Sequence, residues 1–354
     1  MKKYLFFKNG WNFSNKYFDF FSLHDLQFKN SFNFDIRDIL VNGLSGIDFY
    51  RQLLTADGVN KLFLERDPRY LKLCQNLIEY SDGYDSIVMF DFNFLHPEII
   101  KKSFLGKKMI LAFVDDPYST LSRGVQYLSA FDASIFISPT YLANSSTEKL
   151  LKINNEKPVR WFPLVNPGIQ RFPIEDLLRN KSEKIFYAGA PTFQKYQNLT
   201  DLKKALSSDF NLYGKWPLDG YFGYVAPLLK KSLFPRRVKS ITNLELLAEY
   251  KHCIAAANMH CSGINNESGN LRTYEIAAYA CISLNFQSKE NEKIFPAESG
   301  IYVSSVDEAV KSWSEIKACP NQFKEMAAKR YDYFWQHYSP EKVYGGLYDW
   351  ISKL

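Results

Sequence analysis

The sequence has no apolar run approaching the ~18 residues of a membrane-spanning helix, and it has no C-x-x-C pair. Its five cysteines, Cys74, Cys253, Cys261, Cys281 and Cys319, are scattered and odd in number. Neither a disulfide framework nor a zinc site is expected from them, and a reducing cytoplasm is the economical compartment. Histidine is scarce at five residues; His252 and His260 flank a strand-like segment without a metal-ligand pattern and read as structural. No Asp-x-Asp triplet occurs, so no metal site is expected from the sequence. The basic start Met1–Lys8 is apolar for only four residues, too short for a signal-peptide core, and reads as a first strand.

What is present describes a packed protein. The 354 residues suit two domains, and 46% hydrophobic with 23% charged residues argues against bulk disorder. Twenty-nine Phe and 23 Tyr supply large buried areas and stacking surfaces. The net charge is +6, and Lys230, Lys231, Arg236, Arg237 and Lys239 lie in a stretch without acids. Two readings of Lys230–Lys239 stand open: a solvated helix face and loop, or an anion-attracting patch for a diphosphate, an acidic membrane surface or a nucleic acid.

Short apolar runs alternate with helical stretches. Ser86–Asp91, Lys108–Val114, Ala133–Ser138 and Val159–Pro163 read as strands, with helices at Pro97–Lys102 and Tyr141–Lys152 between them. The pattern restarts with strands at Lys184–Ala188, Phe210–Tyr213, Cys253–Ala257, Cys281–Phe286 and Gly300–Val303. Helices are expected from about Phe193, over Leu244–Tyr250, Tyr274–Ala280 and Val306–Ile316, and through an aromatic tail from Phe323 to Leu354. Such alternation implies α/β architecture with parallel sheets covered on both faces. A proline-rich hinge at Pro163–Asn180 separates residues 1–172 from 173–335, with 336–354 as a C-terminal helix returning to the first domain. Two such domains face a cleft lined by carboxyl-end loops. The first seventy residues are aromatic and Asn-rich, with a glycine loop at 42–46 following an expected strand, Asp38–Val41; that loop borders the cleft or is a plain turn.

The most informative segment is 263–286, where a polar loop runs into a small-residue helix and then an apolar strand. Glu267 falls on the loop and Glu275 in the helix, with seven residues between them. A helix start at Asn270 and Leu271 turns its first free N–H groups toward the loop, where a phosphate is favoured. Arg272 adds a planar fork of donors suited to a diphosphate. Glu275 suits a ribose diol, as acidic residues do in dinucleotide sites. Together these groups describe a nucleotide-sugar site. The alternative is that Glu275 is an ordinary first-turn acid complementing the helix dipole.

With that pattern in place, residues 85–350 resemble the group 1 glycosyltransferases of the GT-B fold, and within them the CgeB-like spore-protein branch. The resemblance is carried by Phe113–Pro117 with its Asp-Asp-Pro, the proline-rich hinge, Phe186-Tyr-Ala-Gly-Ala190, Leu212-Tyr-Gly214 and Asn270-Leu-Arg-Thr-Tyr-Glu275. The downstream run Ile294–Val303 and Val306-Asp-Glu-Ala309 fit as well. It implies two Rossmann-like domains and transfer of a sugar from a UDP- or GDP-sugar to a hydroxyl on a glycan, protein or other polymer, with no cofactor. By the resemblance Glu275 binds the ribose, Glu267 the sugar hydroxyls, and Asn270, Leu271 and Arg272 the diphosphate. Gly189 lets its loop approach the phosphates with Lys195 as cationic partner, and Tyr213 and Gly214 lie near the base. The family's usual Ala-Cys-Gly after the helix is Tyr279-Ala280-Cys281 here, and only Lys195 remains of the Arg-plus-Lys pair after Gly189. Retention of configuration is therefore only a lean.

Charge on the departing diphosphate is what such a site must stabilise, and Arg272, the helix start and Lys195 supply donors without a metal. If the reaction inverts, Asp115 or Asp116 at a strand's carboxyl end is the base, with Asp116 preferred; the competing reading is an Asp-Pro turn capping a helix. Two other functions compete: a GT-B-like scaffold that binds a sugar or anionic polymer without turnover, and a transferase that modifies nucleic acid.

Overall fold

The computed structural model describes residues 4–9, 33–34, 49, 52–53, 55–90, 94–113, 125–136, 157–189, 193–213, 243–259, 270–286 and 294–354. Asp115, Asp116, Gly214, Lys230–Lys239, Glu267, the 42–46 loop with its strand and the Tyr141–Lys152 helix lie outside the described residues. The chain divides into two compact units, Met1–Gly168 with Pro340–Leu354, and Ile169–Ser339.

In the first unit a parallel sheet forms from β1 (Tyr4–Asn9), β2 (Asn33–Phe34), β3 (Ser86–Phe90), β4 (Lys108–Phe113), β5 (Ala133–Phe136) and β6 (Val159–Trp161), in the order β2-β1-β3-β4-β5-β6. Register is tight at the centre, with Ile87 opposite Leu5 on one side and Met109 on the other. Successive residues Ile87, Val88 and Met89 are all 0% exposed, so both faces of the sheet are covered. On one face Ile87, Met89, Met109 and Leu111 pack with α1 (Ala56–Leu64) and α2 (Pro68–Tyr80). Helix α1 buries Ala56, Val59 and Leu62 at helical spacing, and Thr55 caps it by accepting from the Gly58 N–H. Helix α2 starts at Asp67, whose carboxylate accepts from the Arg69 and Tyr70 N–H groups, followed by Pro68 at the position where a missing N–H costs nothing. Helix α3 (Pro97–Ser103) follows β3.

The second unit opens with α4 (Ile174–Arg179) and holds β7 (Ser182–Ala188), β8 (Phe210–Tyr213), β9 (Cys253–Met259), β10 (Ile282–Phe286) and β11 (Ile301–Val303), all parallel, in the order β11-β10-β9-β7-β8. One face, with Ile185, Ala255, Ala257, Ile282 and Leu284, packs on α5 (Phe193–Leu206) and α8 (Val306–Ala318) through Leu199, Leu202, Trp313 and Ile316. The helices α6 (Asn243–His252) and α7 (Leu271–Ala278) precede β9 and β10.

Where the sequence suggests one helical tail, the structure has two helices, α9 (Pro320–His337) and α10 (Pro340–Lys353). The break falls at Tyr338–Ser339, because Pro340 cannot continue a helix and restricts the residue before it. The break is also where the chain leaves the second unit for the first. In the first unit the Tyr344 hydroxyl donates to the Val165 carbonyl at 2.7 Å, and the Tyr344 ring meets Phe162 edge-on at 5.5 Å. Among the described residues no helix is long and apolar enough to cross a membrane.

Candidate functional site

Of the residues expected at the site in the second unit, Gly189 and Tyr213 stand at the carboxyl ends of β7 and β8, and Asn270, Leu271 and Arg272 at the start of α7. Ala188 and Tyr213 are register partners at the ends of β7 and β8, and the next residue, Gly189, donates its N–H to the Tyr213 carbonyl at 3.1 Å. The Tyr213 phenol donates to Glu249 Oε1 at 2.7 Å, and Glu249 Oε2 accepts from Asn211 Nδ2 and Cys253 Sγ. Burial, together with the Glu249 carboxylate, pushes the Tyr213 phenol well above its ordinary pKa, so the ring is held as a neutral donor.

Helix α7 begins at Leu271, earlier than Tyr274, because Asn270 is an N-cap: its Oδ1 accepts from the Thr273 N–H at 3.0 Å and from the Thr273 hydroxyl at 3.2 Å. The same side chain is pinned from behind. Asn270 Nδ2 donates to Asn258 Oδ1 at 3.1 Å, while Asn258 Nδ2 donates to Thr273 Oγ1 and Asn285 Oδ1. Ser283 Oγ completes the set by donating to Asn285 Oδ1 at 2.8 Å. Asn258 and Asn285 are register partners near the ends of β9 and β10, so a buried polar chain ties the start of α7 to two strand ends. Satisfied networks of this kind specify one arrangement, because any slip strands a buried polar atom.

Arg272 follows directly. Its guanidinium lies over the Tyr187 ring at 4.6 Å. A methyl placed on Gly189 would sit 3.1 Å from both Arg272 terminal nitrogens and 2.9 Å from the Tyr187 hydroxyl. Only glycine lets the β7 loop come this near the guanidinium. Arg272 Nε is sealed from solvent without a hydrogen-bond partner, an unsatisfied donor beside the capped helix start. Burial opposes the charge, and Tyr187, Tyr250 and Glu275 around it more than offset that, so Arg272 stays a fixed cation.

Glu275 is 8% exposed, which separates it from a solvated first-turn acid. Its Oε2 accepts from the Tyr250 hydroxyl at 2.9 Å. Burial first, then Glu275, raises the Tyr250 phenol well above its ordinary value, so it remains a donor. Leu271 is half-buried beside Arg272. Lys195 stands in the first turn of α5, half-buried, and among the described residues no bond joins it to Gly189, Arg272 or Glu275. Among the described residues no group of three or more His, Cys, Asp or Glu is placed to hold a metal ion.

The chain leaves α7 through Ala280, one residue before the position of the family's glycine. Ala280 has φ +49°, the left-handed conformation that usually favours glycine, and the Cys281 N–H reaches back to the Ile276 carbonyl at 3.0 Å. The Ala280 methyl packs with Leu177 and Tyr331, a burial worth about 0.8 kcal/mol against a backbone cost of about 1–2 kcal/mol.

Sequence reading missed Tyr187, Tyr250 and Asn258. Tyr187 had a usable signal, being two residues before the loop glycine on a strand end; Tyr250 and Asn258 read as ordinary core.

Residues 195–347 match the family model described as glycosyl transferase-like. The fold is similar to that of Anabaena HepE, solved in complex with UDP and glucose, with a TM-score of 0.62 and 12% identity over 100% of each chain. It is similar also to sucrose-phosphate synthase from Thermosynechococcus elongatus, with a TM-score of 0.57 and 14% identity over 83% of this chain and 80% of that one. A third likeness is to accessory secretory protein of Streptococcus pneumoniae, at 0.51 and 12% over 80% of this chain. The chain spans 57% of the length of that protein. A comparison with curated proteins found no match. The two parallel sheets with flanking helices thus have the GT-B fold.

Proposed function

We propose that the protein is a glycosyltransferase of the CgeB-like kind, moving a sugar, a hexose for preference, from a nucleoside-diphosphate donor to a hydroxyl acceptor without a metal. The observation that carries this reading is the meeting of Arg272, Gly189 and Glu275 at the carboxyl end of one parallel sheet. A half-buried arginine whose Nε is sealed without a partner, a loop kept bare by glycine and a helix start together suit a diphosphate. The match of residues 195–347 to a glycosyl transferase-like family and the UDP bound by the similarly folded Anabaena protein support the same donor class.

In this reading Arg272 and the α7 start stabilise the charge that grows on the leaving diphosphate as the anomeric carbon becomes oxocarbenium-like. Donors already in place do this without reorganising at the moment of reaction. Glu275 holds the ribose and Glu267 the donor sugar, while Lys195 adds charge from α5. Retention is slightly favoured; in an inverting reaction Asp116 takes the acceptor proton. Calorimetry with UDP, GDP and their sugars, with and without EDTA, tests the reading. Binding that persists in EDTA is expected. No binding of any of these nucleotides overturns the donor class, and loss in EDTA alone overturns the metal-free mechanism.

A further inference from the structure

The position of Tyr250 carries an inference beyond the donor class, and it rests on the nucleotide-sugar reading above. This side chain is 1% exposed in the last turns of α6. Its ring is gripped on two sides, edge-on by Phe186 at 5.0 Å and stacked by Tyr279 at 5.4 Å. Its backbone is gripped as well, since the Tyr250 carbonyl accepts from Lys181 Nζ at 2.6 Å and from Cys281 Sγ at 3.1 Å. A phenol held in this way has one direction for its hydroxyl, and that direction is occupied by Glu275 Oε2 at 2.9 Å.

A carboxylate offers about four acceptor sites in its own plane. Fixing one oxygen with a rigid donor fixes that plane, and with it the direction in which the other sites accept. A ribose diol is a two-point donor, so its affinity depends on that plane more than a single hydroxyl's would. The Tyr250 hydroxyl also favours the charge on Arg272, so one phenol borders both the carboxylate and the guanidinium of the site.

We propose that Tyr250 is a positioning residue for donor binding: its hydroxyl sets the orientation in which Glu275 accepts the two ribose hydroxyls of a nucleoside diphosphate. Tyr250 acts through Glu275 and makes no contact with the reacting atoms. If the phenol merely satisfied a buried carboxylate, its removal would lower stability and weaken every ligand alike. A positioning role instead tells ribose from its deoxy analogue.

The test is titration calorimetry of the full chain with UDP and GDP, each paired with its 2′,3′-dideoxy counterpart. Parent, Tyr250→Phe, Glu275→Gln and the double variant are compared. Tyr250→Phe is expected to weaken the ribonucleotide about tenfold, the effect of one misdirected hydrogen bond, and to leave the dideoxy nucleotide within about twofold of the parent. On the Glu275→Gln background the same substitution is expected to add less than about threefold, because the charged two-oxygen acceptor it orients is gone and a single amide carbonyl remains. On that background no carboxylate is left buried without its phenol, so a further loss there does not come from an orphaned Glu275 charge. Equal weakening of both nucleotides, no weakening of either, or a full tenfold loss added to Glu275→Gln overturns the proposal while leaving the donor reading intact. A parent that binds neither UDP nor GDP overturns the donor reading, and this proposal with it.

Discussion

Lys181 reaches across 98 residues of sequence to donate to the Tyr279 carbonyl at 2.9 Å. Tyr279 is the C-cap of α7, and the same ammonium donates to Tyr250 in the last turns of α6 at 2.6 Å. One cation therefore sits at the negative ends of both helices that carry Glu275 and its tyrosine partner. Lys181→Met keeps the aliphatic stem and removes the charge. Hydrogen bonds from a charged group contribute about 1.5–3 kcal/mol each, so a loss of about 2–4 kcal/mol is expected for the second unit. Urea unfolding followed by a signal from that unit checks it; a variant as stable as the parent would show the clamp to be idle.

Gly189→Ala separates binding from folding. The three atoms nearest the added methyl are side-chain ends, the buried Tyr187 hydroxyl at 2.9 Å and both Arg272 terminal nitrogens at 3.1 Å, so room has to come from a shift of the half-buried arginine. Stability is expected to fall by less than about 1 kcal/mol, because side-chain ends yield more cheaply than a packed core. Displacing the guanidinium should weaken UDP or GDP by about 1.5–3 kcal/mol, the worth of a charge-assisted hydrogen bond. Calorimetry beside a melting curve reads both effects, and unchanged affinity would remove Arg272 from the diphosphate site.

Glu275→Gln keeps an acceptor for the Tyr250 phenol and removes the charge. Donor binding is expected to weaken by about 1.5–3 kcal/mol with the fold intact. Glu267→Gln should instead reduce turnover more than affinity, since a contact to the sugar matters most as charge develops at the anomeric carbon. Steady-state kinetics with donor titration distinguishes the two. Parent-like behaviour of both variants would misplace the site.

His96 gives the first unit a pH dependence. Its Nδ1 accepts from the Glu98 N–H at the start of α3, and its ring stacks on Phe63 at 3.8 Å. Burial lowers its pKa below the ordinary 6.5, with Glu98 working in the opposite direction. The folded state thus binds the proton less readily than the unfolded chain. The stabilisation is complete above pH 6.5 and is lost as pH falls through that value toward the folded pKa. The cap is lost too when Nδ1 is protonated. His96→Asn keeps a capping acceptor without the titration, so its unfolding midpoint is expected to vary less than the parent's between pH 7 and about 5. An equal slope in both proteins would assign the dependence elsewhere.

Much of this architecture is legible in the chain because it is local. The run Ser86–Phe90 is apolar at every position after its first, as a strand buried on both faces must be, and it forms β3. Asn270 before a helical stretch marks the α7 start through its own side-chain bond to a neighbour three residues on. Glu275 and Arg272 could be assigned to a helix start from spacing alone. The end of α7 is not legible in the same way, since Ala280 adopts a left-handed conformation that its residue type rarely takes and no local pattern announces it.

What the sequence determined by itself is thus the alternation of strands and helices, the parallel sense of the sheets and the residue types at the helix start. These follow from short-range steric preference and from the periodicity of apolar side chains. Tertiary structure alone decided that Tyr250 donates to Glu275, that Tyr187 lies under Arg272, and that Asn258 and Asn285 brace Asn270. Each of these pairs joins segments brought together by strand order, β10-β9-β7-β8, which no local pattern encodes. A tyrosine reads the same in sequence whether its hydroxyl meets a carboxylate or a carbonyl. Only the burial that removes water from around Glu275 makes that difference matter.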